Sequence, residues 1–232
     1  MLYVHEVHAL DPVAAGAFEA TLRDDWVPAL ADDEGTRLVW CARSMALSIS
    51  FPEIVTLTAV ADGAALERLG ARVRNGDLRD RQTELGRHRT GYTMRVVAPL
   101  EEFNPYTVAL DELPLVRDGA PTEMYIHDFV IPRLGMQRIY EVQMRESFMK
   151  MLEMEALPMV TWGGFETVAG GGRIPESLMI THIKQARAMA ELLAHGNPRV
   201  PAEPGTWMAD ALKLRDTWIS RLVRSLAWSP TS

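Results

Sequence analysis

Displacing the sequence by 122 positions lays its second half over its first, and this internal repeat restricts the fold more than any other feature. MLYVHEV falls on EMYIHDF, so that Tyr3 meets Tyr125, His5 meets His127 and Glu6 meets Asp128. In the same register Phe18, Glu19, Arg23, Asp24, Trp26 and Leu30 meet Tyr140, Glu141, Arg145, Glu146, Phe148 and Leu152, and Trp40 meets Trp162. With one residue added, FPEIVTLTA aligns with IPESLMITH, and Pro52, Glu53 and Thr58 face Pro175, Glu176 and Thr181. Chance does not hold one register that long. The chain reads as two copies of one unit, residues 1–100 and 123–232, joined by an acidic, Pro-containing linker over residues 101–122.

Periodicity assigns the elements within each copy. LYVHEVHAL alternates and is rich in β-branched and aromatic residues, the pattern of a strand. A helix follows, with Asp11 as its expected N-cap, Pro12 in its first turn, and Phe18, Leu22, Trp26 and Leu30 near the helical repeat. RLVWCAR and EIVTLTAVA are two further strands, residues 63–88 are helical with glycine interruptions, and YTMRVVAPL closes the unit. The second copy repeats this order, with helices expected over GMQRIYEVQMRESFMKMLEM, QARAMAELLAH and TWMADALKLRDTWISRLVR before a short final SLAWS. The segment GNPRVPAEPG splits its second helix pair. The fold class is therefore α+β: tandem ferredoxin-like βαββαβ repeats, each a four-stranded antiparallel sheet with its helices on one face. The uncovered sheet faces also carry Tyr, Val, Trp and Phe, so they must meet each other, closing the two sheets into a barrel around a central chamber.

Charge and cysteine usage narrow the partners. Lys and Arg number 24 against 31 Asp and Glu, a formal charge of −7, which argues against nucleic acid as a partner. The single cysteine, Cys41, forms no intramolecular disulfide or thiolate cluster, and no stretch is long and apolar enough to span a bilayer. The opening MLYVHEVHALD lacks the basic and then apolar run of a signal peptide, so a cytoplasmic location is expected. No HExxH, CxxC or close His–carboxylate helix pair appears, and no metal site is expected.

The tandem arrangement, the opening M-[LY]-Y-x-H-[ED], the helix ending near Trp26 or Phe148 and the Pro-Glu before the third strand resemble the NIPSNAP-like group of the dimeric α+β barrel superfamily. That resemblance covers nearly the whole chain and implies the tandem barrel. It implies no single activity, because such barrels include haem-dependent dismutases and dehydratases, cofactor-free monooxygenases, lyases and isomerases. His5 and His127 stand where the group's first strand is associated with Glu and Arg.

The candidate chemistry lies on the matched strands. Leu2 and Val4 oppose Tyr3, His5 and Val7, and Met124, Ile126 and Val130 oppose Tyr125, His127 and Phe129. The apolar rows belong against the helices, which turns the Tyr and His rows into the chamber. Imidazole and phenol groups there can move protons on a bound substrate. Equally, the two His–Tyr pairs can simply satisfy one another across the pseudo-twofold axis. His182 breaks the symmetry, since its counterpart is Ala59, although alternation assigns it to the helix-facing row of Leu178 and Ile180. Thr58 and Thr181 fall in the opposite row, which places them in the chamber wall or leaves them as ordinary strand formers. Trp40, Trp162 and Phe129 suit an aromatic or apolar small molecule, and core packing explains them as well. Six of the 13 methionines, between Met136 and Met159, wall either a pocket or an interface.

The resulting expectation is a cofactor-independent lyase, isomerase or dehydratase acting by proton transfer. His5 or His127 is the base, Tyr3 or Tyr125 polarises the substrate, and His182 is a third catalytic candidate. Trp40, Trp162, Phe129, Thr58 and Thr181 hold the ligand. One alternative is a haem protein with iron on His88, His182 or His195, the first flanked by Arg79, Arg81, Arg87 and Arg89. The other is a non-catalytic ligand-binding or assembly protein. Apolar positions left on the outer helices point to a homodimer or higher homo-oligomer.

Overall fold

The computed structural model describes residues 1–45, 52–103, 109–148, 159–170, 176–185, 187 and 207–231. The first half contains β1 (Leu2–Leu10), β2 (Thr36–Ser44), β3 (Glu53–Val60) and β4 (Arg89–Pro99). The second contains β5 (Met124–Pro132), β6 (Met159–Gly170), β7 (Ser177–Ile183) and β8 (Arg215–Ser225). Helices α1 (Ala15–Thr21) and α2 (Val27–Leu30) flank a π-helical turn at Leu22–Trp26, and α3 (Gly63–Asn75) and α4 (Arg79–Arg87) complete the first layer. In the second half α5 (Gln137–Gln143) runs into a π-helical turn at Met144–Phe148, and α6 (Trp207–Leu214) precedes β8. The two π turns begin 122 residues apart, so the duplication extends to an uncommon local conformation.

The eight strands form one closed antiparallel barrel in the order β1-β3-β2-β8-β5-β7-β6-β4. The ferredoxin-like expectation and the closure of the two sheets are both met. Each half keeps its repeated first strand central: β1 lies between β3 and β4, and β5 between β7 and β8. The halves join at two short seams. At one, Ala42 to Ser44 pair with Ser225 to Val223; at the other, β4 pairs with β6 from Arg95↔Gly170 to Pro99↔Phe165. Gly170 is required at the second seam, because it adopts φ +79° and a Cβ there would lie 2.6 Å from the Met94 carbonyl oxygen.

Alternation along the strands separates two kinds of core. Val4 and Leu10 of β1 pack outward with Phe18, Leu22, Trp26 and Leu30 under the first helix layer. Tyr3 and Val7 point inward and join Trp40, Leu57, Tyr125, Phe129, Phe165, Leu178 and Ile180 from both halves. A third cluster, with Tyr140, Met144, Met179 and Trp207, lies under the second helix layer. The C-terminal tail ties across the molecule, where the Trp228 indole N–H donates to Glu19 at 2.9 Å and the Cys41 backbone N–H donates to Ser229 at 3.0 Å.

Three expectations need correction. The first helix begins at Ala15 rather than at Asp11, whose carboxylate instead accepts from the Val13 N–H at 2.8 Å and forms a turn around Pro12. RDTWISRLVRS is the closing strand β8 and not the end of a helix; its full-length pairing with β5 outweighs the helical spacing of its apolar residues. Leu178, Ile180 and His182 face the barrel interior, whereas Thr58 and Thr181 lie against the helix layers, since Thr58 pairs with outward-facing Val4 and Thr181 with outward-facing Ile126. The segment GNPRVPAEPG, nearly all of the QARAMAELLAH helix, and Met149, Met151 and Met154 lie outside the described residues.

Candidate functional site

Register determines what meets inside the barrel. His5 pairs with Arg95 on β4 and Leu57 on β3; its counterpart His127 pairs with Arg221 on β8 and Ile180 on β7. The two imidazoles meet on the pseudo-twofold axis, Nε2 to Nε2 at 2.9 Å, with ring planes 20° apart. Phe129 packs edge-on against both, at 5.3 and 4.9 Å between centroids. Both histidines are fully buried. Burial, the neighbouring imidazole and the Arg95 and Arg221 charges push His5 well below the ordinary imidazole value, while burial and the same guanidinium groups bring His127 down to about 3. Both rings are therefore neutral near pH 7, and one Nε2–H donates to the other Nε2.

At the end of the barrel holding Tyr3 and Tyr125, aromatic groups fill the space. Tyr3 meets Phe165 edge-on at 5.2 Å, Trp40 meets Tyr125 at 5.5 Å and Trp162 at 5.6 Å, and Leu110 and Leu113 of the linker close over them. His182 packs at a tilt against Tyr125, 5.0 Å between ring centroids, and hydrogen-bonds Glu123 at 3.2 Å. The sequence-derived set thus gathers in space, but as packing. Tyr3, His5, Tyr125, His127, Trp40, Trp162 and His182 line none of the described cavities and pack against the large side chains of the inner core.

The opposite mouth is open and charged. A cleft of about 200 Å³ is lined by Val7, Phe129, Thr93 and Thr217 and by two ion pairs that cross between the halves. Arg95 binds Glu176 at 2.6 Å and Arg221 binds Glu53 at 3.1 Å, while Arg95 also stacks over Phe129 at 4.3 Å. Burial raises the Glu53 carboxyl, partly offset by Arg221. Glu53 and Glu176 stand out in the repeat. Arg95 and Arg221 repeat as well, in RTGYTMR and RDTWISR, but at a spacing of 126 that the assignment of β8 to a helix conceals.

The group best placed for proton chemistry is on the helix side. Asp128, the neighbour of His127, lies in an apolar pocket between the second sheet and its helices, lined by Ile126, Val130, Met144, Met159, Met179, Trp207 and Thr181. The Trp218 indole N–H donates to it at 3.0 Å, and the Ser220 hydroxyl also hydrogen-bonds it. Burial dominates these and the Arg215 charge, raising the carboxyl to about 6. Arg215 stacks over Trp218 at 4.4 Å and hydrogen-bonds Tyr140, whose phenol burial pushes up to about 12. The pocket's free volume is about 40 Å³, enough for a few water molecules. Sequence reading paired Asp128 with Glu6 but assigned it no role, since burial strong enough to shift a carboxyl depends on tertiary packing.

Haem does not fit the described residues of this pocket: no histidine lines it. His88 caps α4 beside Glu84, and His182 is engaged with Glu123. His195 is outside the described residues, and among those described no cluster of three metal-ligating side chains occurs. No described helix is long and apolar enough to cross a membrane.

No protein-family model matches the chain, and no curated protein matches its sequence. Solved structures share its fold. A candidate monooxygenase from Fusobacterium nucleatum subsp. nucleatum is 8% identical with a TM-score of 0.58, covering 98% of this chain and 93% of its own. An anthrone oxidase-like protein is 10% identical with a TM-score of 0.57, covering 97% and 91%. A dye-decolorizing protein from V. cholerae is 12% identical with a TM-score of 0.56, covering 97% and 93%. The shared architecture is the closed antiparallel α+β barrel of ferredoxin-like units; at these identities the likeness carries the fold alone.

Proposed function

We propose that this chain is an enzyme that moves a proton on an aromatic or apolar small molecule, and that the reaction takes place between the second sheet and its helices. The observation that carries this reading is Asp128, a buried carboxyl raised to about 6 in an apolar pocket that also holds a guanidinium and a phenol. Above that value its carboxylate takes a proton from an acidified C–H or O–H. The electron pair left behind moves onto the substrate oxygen, where Arg215 and Tyr140 stabilise the charge. Met144, Met159 and Met179 are the adaptable wall that gives way to admit a flat ring. Thr181 lines the same pocket and keeps its proposed substrate contact there, on the helix side.

The fold neighbour described as anthrone oxidase-like supports an aromatic substrate, and the one described as a candidate monooxygenase supports an enzyme. Within the superfamily, the NIPSNAP-like grouping rests on the short strand and Pro-Glu motifs alone.

Anthrone serves as the test probe because its methylene hydrogens are acidified by the ring ketone. Incubated in D2O, it is expected to exchange those hydrogens faster with the protein than without, and the protein-dependent rate should rise as pH passes through about 6. Asp128→Asn should lower that rate on the order of 100-fold. Exchange unchanged by Asp128→Asn, or a haem absorption band in the purified protein, overturns the reading.

A further inference from the structure

The pocket that holds Asp128 has a larger pseudo-symmetric mate in the first half. A cavity of about 250 Å³ lies between the first sheet and its helices, walled by Val4, Trp26, Leu66, Leu69 and Thr58. Val4, Trp26 and Thr58 are the repeat counterparts of Ile126, Phe148 and Thr181 in the second pocket. The polar groups differ between the two. Glu6, at the Asp128 position, accepts from two hydroxyls: the Tyr92 phenol donates to one oxygen at 2.6 Å and the Thr56 hydroxyl to the other at 3.0 Å. The Gln82 side chain hydrogen-bonds Tyr92, and its carbonyl oxygen is buried at the cavity without any donor. An unmatched buried acceptor is costly, and a ligand donor removes the cost. At the rim, exposed Arg74 has no ion pair among the described residues.

We propose that the first half binds a second small molecule in this cavity: an apolar aromatic compound carrying one hydrogen-bond donor for Gln82 and an anionic group for Arg74. This site is distinct from the Asp128 pocket, and either site can exist without the other.

The probe is 8-anilinonaphthalene-1-sulfonate, which combines fused rings, an arylamine N–H and a sulfonate. Titration into the protein at pH 7.5 should show one saturable site, with excitation energy passing from Trp26 to the probe. Arg74→Gln and Gln82→Met should each weaken Kd by about fivefold to tenfold. Thr58→Met, which projects a longer side chain into this cavity, should abolish the saturable signal, while the matched Thr181→Met in the second half should leave it intact. Thermal melts establish that the variants are folded, and exposed Arg74 provides a variant with little demand on the core. No saturable binding, equal affinity in Arg74→Gln and Gln82→Met, or loss in Thr181→Met alone overturns the proposal.

Discussion

At the scale of single residues, the alternation of LYVHEV and MYIHDF was sufficient to place Tyr3, His5, Tyr125 and His127 on the inner face, because strand geometry leaves only two faces. It could not say that the two imidazoles touch, since that distance depends on how the halves close. Contact turns a pair of candidate bases into a buried pair joined Nε2 to Nε2, with the Nδ1 of each ring left without a hydrogen-bond partner. Removing one partner leaves the other ring's Nε2 buried without a partner, whereas removing both leaves an apolar site. His5→Leu or His127→Leu alone is therefore expected to cost about 2–3 kcal/mol. The double variant should cost less than the two single losses added together, as read from urea unfolding midpoints at pH 7.5. Strict additivity would mean that the 2.9 Å contact contributes nothing.

At the scale of elements, periodicity locates the strands β1 to β7, but it misses β8 and turns the rows of β3 and β7 to the wrong faces. RDTWISRLVRS has apolar residues at helical spacing, and nothing local reveals that β5 lacks a neighbour on that side. The tertiary demand for a partner strand overrides the spacing, as it often does for exposed amphipathic segments. Recognising β8 brings with it Arg221, the twin of Arg95, and hence both ion pairs across the barrel mouth. The seams that β4 and β8 make are short, so their backbone fit carries much of the closure. Gly170→Ala adds a Cβ where the backbone has φ +79° and the Met94 carbonyl is 2.6 Å away. The expected loss is about 1–3 kcal/mol from the strained backbone alone. Hydrogen exchange should rise first at the amides from Val96 to Ala98 and from Phe165 to Gly170.

For the molecule as a whole, one inner core drawn from both halves makes separate unfolding of either repeat unfavourable, because it would strip Trp40 from Tyr125 and Tyr3 from Phe165. Backbone-sensitive and tryptophan-sensitive signals should consequently report one transition. Its pH dependence follows from the buried titrating groups. His5, His8 and His127 all have folded-state values depressed by burial and nearby charges, so the unfolded chain takes up their protons first as pH falls below about 6.5. Each then withdraws about 1.4 kcal/mol per pH unit from the folded state. Asp128 acts in the opposite sense, because its folded value is raised: as pH falls from about 6 toward 3.8, the folded form gains its proton first and recovers stability at a similar rate. The unfolding free energy should be near its maximum above pH 6.5 and fall by at most about 4 kcal/mol per pH unit just below it. The slope should flatten once Asp128 is protonated, and Asp128→Asn should remove that flattening while leaving the onset near 6.5 in place. Urea unfolding at half-unit steps from pH 7.5 to 4.5 measures both features, and a stability flat through 6.5 would mean that the three imidazoles are solvated rather than held inside the barrel and beneath its helices.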